Sequence, residues 1–142
     1  MKIIDTQEIL QTYTTVAIYG ASANPEKASH RVAAYLSSKG YTVIPINPKA
    51  EAVLGRTGYA KLEDVPEAID VVDIFRPAAE IPSIVQDVIA RKQAKGDVSV
   101  VWLQEGIENE EGMSLAESVG LNFVQNRCMK KEHERLFGTK SD

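Results

Sequence analysis

The chain has 142 residues, of which 44% are hydrophobic and 25% charged, and its formal net charge is −4. A mildly acidic chain without a basic run argues against nucleic acid or an anionic membrane surface as the main partner. Its one cysteine, Cys128, excludes an internal disulfide and is typical of a reducing compartment. We therefore expect a cytoplasmic protein in which any anion site is local, built from backbone donors and a few cations.

The length is that of a single domain with one core, and we expect this domain to extend over residues 1–142. Acidic residues interrupt the N-terminal segment where a secretory signal needs an apolar run. No stretch approaches the ~20 apolar residues that span a bilayer. Within these bounds we expect an N-terminal helix in residues 1–14 and a polar tail over residues 138–142.

The pattern of apolar residues predicts strands that alternate with helices along the chain. The predicted strands are residues 16–19, 41–46, 71–75, 98–103 and 121–125. The predicted helices are residues 5–13, 29–39, 81–96, 109–119 and 130–137. Pro45 lies inside the second strand, where it cannot donate to the ladder, so we expect that strand to splay or finish there.

This alternation predicts an α/β fold of three layers, with a five-stranded parallel sheet between helices on both faces. We expect right-handed crossovers and the strand order 3-2-1-4-5, with the order reversing beside the first strand. In such sheets, ligands bind beyond the carboxyl ends of the strands where the order reverses. The segments predicted to converge there are residues 20–30, 47–49, 75–77 and 104–106.

The stretch from residue 14 to 31 has an arrangement that holds phosphates. A β-forming run ends at Gly20, a polar loop follows, and a helical pattern opens near Ser29. Unpaired N–H groups at a helix start, together with the helix dipole, favour a negatively charged ligand. Of the dinucleotide fingerprint G-x-G-x-x-G, only the first glycine is present, because Ser22 and Pro25 occupy the other two positions. This departure weakens the interpretation as an NAD site.

The end of the second strand gives a further indication of the nucleotide. NAD-binding sites place a carboxylate there for the ribose 2′-hydroxyl, whereas this chain has Asn47, Pro48 and Lys49. A cation in place of an acid suits a ribose that carries a phosphate. NADP and the 3′-phosphorylated ADP of coenzyme A (CoA) both meet that description, and these residues leave the two open.

Five sequence blocks between residues 16 and 133 match a known protein family in order and spacing. They read VAIYGASANPEKASHRVAAYL, GYTVIPINPKAEAVLG, IDVVDIFRP, VVWLQEGIENEEG and NRCMKKEH. On these blocks the chain resembles the small stand-alone CoA-binding proteins, which are related to the CoA-binding domain of succinyl-CoA synthetase α-subunits and of acyl-CoA synthetases. The resemblance implies a Rossmann-like domain that binds CoA or acyl-CoA across the strand ends.

The resemblance also implies that four segments at the strand ends contact the ligand. The first forms the turn after the first strand and the next helix start, where side chains would reach phosphate oxygens. The second would flank the adenosine part, the third would border the pantetheine or the diphosphate, and the fourth would close the site. In this order, the residues are Gly20, Ala21, Ser22, Lys27, Ser29, His30 and Arg31; Asn47, Pro48 and Lys49; Phe75, Arg76 and Pro77; and Trp102, Gln104 and Gly106.

Several other side chains are given structural interpretations. Arg76 stands directly after an apolar strand, so we expect it to be paired or to meet a ligand. Asp73, inside that strand, is interpreted as a structural hydrogen-bonding residue, and His133 as a packing or surface histidine. Cys128 is interpreted as a small buried residue, with thiol chemistry on CoA as the alternative. We expect neither a metal site nor a catalytic residue, because no Cys/His cluster has metal-ligand spacing and no nucleophile triad is evident.

These patterns indicate a ligand more clearly than a reaction. The first hypothesis is a non-catalytic carrier, sensor or regulatory module for CoA or acyl-CoA. The second is an enzyme, either an NADP-dependent oxidoreductase or a CoA-linked transferase. The third is the nucleotide-binding subunit of an acyl-CoA synthetase complex. A homodimer is also compatible with a domain of this size.

Overall fold

The computed structural model of the protein describes residues 5–138. Residues 1–4 and most of the predicted polar tail, residues 139–142, lie outside the described residues. The helices are α1 (Thr6–Thr12), α2 (Ala28–Ser38), α3 (Ile81–Lys95), α4 (Glu110–Ser118) and α5 (Met129–Phe137). The strands are β1 (Thr15–Tyr19), β2 (Thr42–Ile46), β3 (Val71–Ile74), β4 (Val100–Leu103) and β5 (Asn122–Val124). Two short 3₁₀ turns, Leu62–Asp64 and Ala78–Glu80, precede β3 and α3.

The five strands form one parallel sheet with helices on both faces, which confirms the predicted Rossmann-like α/β fold class. Because successive strand residues point to opposite faces, each strand contributes to two cores. One core joins the sheet to α3 and α4, and the other joins it to α1, α2 and α5. No helix in the described part of the chain combines the length and the apolar character that crossing a membrane requires.

The predicted strand order, 3-2-1-4-5, is wrong, because the observed order is β2-β1-β3-β4-β5. Pro45 supplies the physical reason. Its carbonyl accepts a hydrogen bond from the Tyr59 N–H at 3.0 Å, on the side of β2 that faces away from β1. Since the N–H and C=O of one strand residue point to the same side, the missing N–H of Pro45 removes no bond to β1. β2 is therefore an edge strand, and it continues through Pro45 to Ile46 instead of splaying there.

Asp73 is an exception in the apolar interior of β3. It lies opposite Ile18 and Trp102 in the neighbouring strands and is fully buried. Neither of its carboxylate oxygens has a hydrogen-bond partner among residues 5–138, so its interpretation as a structural hydrogen-bonding residue is wrong. Burial raises the pKa of this carboxyl well above its ordinary value, which favours the protonated form.

An aromatic cluster joins the helices α1, α2 and α5. The Tyr35 hydroxyl of α2 and Nδ1 of His133 in α5 share a hydrogen bond of 2.7 Å. The Tyr41 hydroxyl donates to the Leu10 carbonyl of α1 at 2.6 Å, and its ring meets the imidazole edge to face. His133 is therefore a packing residue, as predicted. Cys128, at the start of α5, is buried as a small core residue.

Candidate functional site

A cleft of about 250 Å³ lies at the carboxyl edge of the sheet, where the strand order reverses between β1 and β3. Doubly wound sheets bind ligands at this position. Five of the predicted site residues line the cleft: Gly20, Ala21, Asn47, Pro48 and Arg76. Four further residues complete the lining: Tyr19, Ile46, Ala60 and Glu80.

Two larger cavities, of about 530 Å³ each, lie elsewhere on the molecule. One runs along α3 beside the 3₁₀ turn Leu62–Asp64, and it shares Tyr19 with the cleft. The other lies between α1, β5 and α5. The smaller cleft is the candidate ligand site because it is formed by the converging strand ends.

Gly20 allows β1 and β3 to end very close together. The Phe75 N–H donates to the Tyr19 carbonyl at 2.8 Å, so the chain after β3 lies against the turn after β1. A Cβ on Gly20 would stand 2.7 Å from the Phe75 carbonyl oxygen and 3.2 Å from Cδ of Arg76. The backbone of Gly20 also has a φ of +94°, which side-chain-bearing residues rarely adopt. A glycine is therefore required at the predicted turn.

The loop after β1 satisfies part of its polar groups internally. Ser22 Oγ accepts from the Asn24 N–H at 3.0 Å, and Asn24 Oδ1 accepts from the Glu26 N–H at 2.9 Å. Arg31 donates to the Glu26 carbonyl, so its guanidinium lies back on the loop. The N–H groups of Ser22 and Ala23 have no partner within the described chain, which leaves donors for an anion at this turn.

Three other predicted phosphate contacts lie at the start of α2, outside the cleft lining. Lys27 precedes the helix, is exposed and makes no side-chain cap. Ser29 is buried on the inner face of α2, and His30 is half-buried. Of these three, Lys27 is the side chain whose exposure leaves it free to reach a bound anion.

Asn47 fixes the segment that follows β2. Its Oδ1 accepts from the Glu51 N–H at 2.8 Å, and its Nδ2 donates to the Glu51 carbonyl at 3.0 Å. The Asn47 N–H donates to the Tyr59 carbonyl at 2.9 Å, which joins the segment to the outer edge of β2. Pro48 and Lys49 lie on the turn that these bonds hold. Lys49 is exposed, has no ion-pair partner in the described chain and does not line the cleft.

Arg76 is the one cation in the cleft lining, and it is paired, as predicted. Its Nε and Nη2 donate to Oε1 and Oε2 of Glu80 at 2.9 and 2.8 Å. The Arg76 hydrogen bond lowers the pKa of Glu80, and the same bond raises the pKa of Arg76, so both are charged at neutral pH. Tyr19 lies beside this pair. Burial, followed by the Asp87 and Glu80 carboxylates, raises the pKa of its hydroxyl.

The fourth predicted segment, which contains Trp102, Gln104 and Gly106, does not contribute to the cleft lining. Trp102 is fully buried in the core, and its indole N–H donates to the Arg127 carbonyl at 2.8 Å. Gln104 is half-buried, and its Oε1 has no hydrogen-bond partner among the described residues. Gly106 and Pro77 are exposed. The cleft is therefore lined by residues that end or follow β1, β2 and β3, and not by the segment after β4.

The sequence interpretation missed four of the lining residues. The sequence pattern indicates some of them and not others. Glu80 follows Arg76 by four residues, a spacing at which opposite charges pair on a helical turn, so it was identifiable. Tyr19 and Ile46 end predicted strands, where side chains border the carboxyl edge. Ala60 lies in an irregular segment and reaches the cleft only because that segment bridges to β2. No local pattern indicates it.

The model of the CoA binding domain family matches residues 14–134, which is most of the chain and includes every segment that lines the cleft. The chain belongs to the CoA-binding domain family. The resemblance to CoA-binding proteins is thereby confirmed.

Relatives of this CoA-binding domain occur both as small proteins and within much larger ones. The uncharacterized protein YneT of Bacillus subtilis is 30% identical over 129 residues, which cover 91% of this chain and 92% of YneT. Acetate–CoA ligase (ADP-forming) I of Archaeoglobus fulgidus is 31% identical over 120 residues, which cover 80% of this chain but 17% of the ligase. The structure of a hypothetical protein from Pyrococcus horikoshii is 43% identical, with a TM-score of 0.86 and coverage of 94% of this chain and 90% of that one.

Proposed function

We propose that this chain binds CoA or acyl-CoA in the cleft between the ends of β1 and β3, as a carrier, sensor or regulatory module. The proposal depends above all on the family match over residues 14–134. The position of the cleft at the reversal of strand order supports it. The family match favours CoA, and nothing found among the relatives supports the NADP alternative.

The described residues fit the anionic part of CoA. Gly20 keeps the turn after β1 open to close approach, and Ser22 and Ala23 offer free N–H groups there. Lys27, which precedes α2, and Lys49, on the turn after β2, are exposed cations. CoA itself supplies the thiol that carries acyl groups. The residues of this chain would bind and orient the molecule.

A non-catalytic role is the simpler form of the proposal. The cleft lining contains no cysteine, serine or histidine, so it holds no cysteine or serine nucleophile beside a histidine base. Tyr19 and Glu80 are the titratable oxygens in the lining, and Glu80 is held by Arg76. Binding and release of a ligand need no more than this arrangement provides.

Calorimetric titration of the purified protein with CoA, dephospho-CoA, NADP and NAD tests the proposal. We expect CoA to bind and to bind more tightly than NADP and NAD. No heat of binding with CoA at millimolar concentration would overturn the proposed function.

A charge reversal at Lys49 tests how the ligand lies. If Lys49 meets the 3′-phosphate, Lys49→Glu should weaken CoA by about tenfold or more, because a charge-assisted hydrogen bond is replaced by repulsion. Dephospho-CoA, which lacks that phosphate, should lose little affinity. Lys95→Glu is the matched control, since it makes the same charge change at the last turn of α3. Equal losses for both ligands with Lys49→Glu would contradict the assignment.

A second candidate function is the nucleotide-binding subunit of an acyl-CoA synthetase assembly. The match to an ADP-forming acetate–CoA ligase over 17% of its length favours it, because a related segment forms part of that ligase. Co-purification from a native extract distinguishes the two. A self-sufficient module is expected to purify without a ligase partner.

A further inference from the structure

The lining of the cleft has no net charge, although the proposed ligand is strongly anionic. Arg76 and Glu80 are the ionised side chains among the lining residues. They neutralise each other through two hydrogen bonds of 2.9 and 2.8 Å. A diphosphate carries negative charge on both phosphates, so in this lining it would meet a carboxylate as well as a cation.

We infer that Glu80 is a resident counter-ion that competes with the ligand's diphosphate for Arg76 and thereby sets the affinity of the cleft. The inference rests on the proposed function. On binding, Arg76 exchanges the Glu80 carboxylate for phosphate oxygens, and Glu80 turns toward water. Arg76 is the binding residue of this pair, and Glu80 acts through it.

The position of Arg76 assigns it to the diphosphate rather than to the 3′-phosphate. Its Cδ lies 3.2 Å from where a Cβ on Gly20 would stand, so the side chain packs over the first residue of the phosphate loop. Lys49, the candidate for the 3′-phosphate, lies on the different turn that follows β2. Arg76 and Lys49 thus approach the ligand from separate strand ends.

The pair is built so that the exchange costs little. Nε and Nη2 of Arg76 use two of the five guanidinium N–H groups, and the other three have no partner in residues 5–138. The side chains of Arg76 and Glu80 are 44% and 43% exposed, and ion pairs of this exposure are weak. A carboxylate so close to a diphosphate would repel it, which adds to the competition.

Glu80→Gln tests the inference, because it removes the competing charge and keeps the shape of the side chain. By calorimetry we expect CoA and dephospho-CoA, which share the diphosphate, to bind more tightly by the same factor, about two- to fivefold. Arg76→Gln should weaken both ligands by about tenfold. In the double variant, Glu80→Gln should have a smaller effect than it has alone, since the cation for which Glu80 competes is gone and only the direct repulsion remains. Thermal denaturation of each variant checks that the fold is retained.

The matched control is Glu134→Gln, which breaks the Lys130–Glu134 pair of 3.0 Å at the same four-residue spacing on α5. It should leave both affinities unchanged. If Glu80→Gln weakens binding, Glu80 positions Arg76 rather than competing for it, and the inference is overturned. An unchanged affinity, or a gain confined to CoA, overturns it as well. Absence of CoA binding to the unaltered protein would instead refute the proposed function.

Discussion

Asp73 places an ionisable carboxyl in the middle of the sheet, where no described side chain or backbone group hydrogen-bonds to it. Burial raises the pKa of this group well above the ordinary aspartate value. The unfolded chain therefore loses this proton at about pH 4, while the folded protein keeps it to higher pH. Unfolding releases a proton in that interval, so Asp73 makes the folded state less stable as the pH rises.

Replacing Asp73 with asparagine should remove this dependence, because the amide does not titrate. The free energy of unfolding of Asp73→Asn minus that of the unaltered protein should increase as the pH rises from about 4 to 7. Urea denaturation at several pH values measures the difference. Asp73→Leu lacks the titrating group too and should show the same change in slope, even if its packing shifts the absolute stability. A difference that does not vary with pH would contradict the assignment.

At the scale of elements, the connection between β2 and β3 is unusual because a 3₁₀ turn, Leu62–Asp64, stands where a crossover helix is common. Arg91 of α3 uses all five of its N–H groups, and three of them hold this connection. Nη1 donates to the Leu62 and Val65 carbonyls at 2.6 and 2.8 Å, and Nη2 donates to the Glu67 carbonyl at 2.8 Å. Nε and Nη2 also bond to Asp97. Burial would raise the pKa of Asp97, but the hydrogen bonds from Arg91 and Ile69 outweigh it and lower that pKa.

Truncating Arg91 should therefore destabilise the whole connection. The Arg91 side chain is 1% exposed, and Arg91→Ala removes its hydrogen bonds to Asp97 and to three carbonyls. We expect a loss of about 3 to 5 kcal/mol in the free energy of unfolding, measured by urea denaturation. Lys92→Ala, on the next residue of the same helix, removes one hydrogen bond to the Val98 carbonyl and should cost about 1 kcal/mol. Comparable losses for the two variants would show that Arg91 does not anchor the connection.

At the scale of the whole molecule, the fold class was accessible from the sequence because apolar runs and amphipathic stretches report local burial. The strand order depends on which strands pair, and this is decided by contacts between distant segments. Pro45 did hold the decisive information, since a proline in mid-strand requires an edge position. The lining of the cleft could likewise be predicted only in part from the sequence. Turn residues after predicted strands were found, and the spacing of Glu80 from Arg76 was a signal that was missed. Ala60, in contrast, reaches the cleft through the packing of a neighbouring segment.

The aromatic cluster around His133 makes the stability of the packing between α1, α2 and α5 depend on pH. Its imidazole is bonded to Tyr35 and packs against Tyr41 and Phe137, so α2, α5 and the start of β2 meet at one titratable group. Burial, and secondarily Lys39, lowers the pKa of His133. Below about pH 6.5 the unfolded chain therefore binds a proton that the folded protein does not. Stability contributed by the neutral imidazole is lost as the pH falls through this range.

Replacing His133 with phenylalanine should remove this loss while keeping an aromatic ring in the cluster. At pH 8, His133→Phe should be less stable than the unaltered protein, because the Tyr35 hydroxyl loses its partner. As the pH falls to about 5, this difference in the free energy of unfolding between the two proteins should narrow. The reason is that only the unaltered protein contains an imidazole that must then be protonated or exposed. Urea denaturation across this range measures the gap, and carboxylates that titrate in both proteins cancel. Tyr35→Phe is the control, because it breaks the same hydrogen bond, keeps the buried imidazole and should retain the pH dependence. A gap that stays constant from pH 8 to 5 would mean that His133 is not the group that links this face to pH.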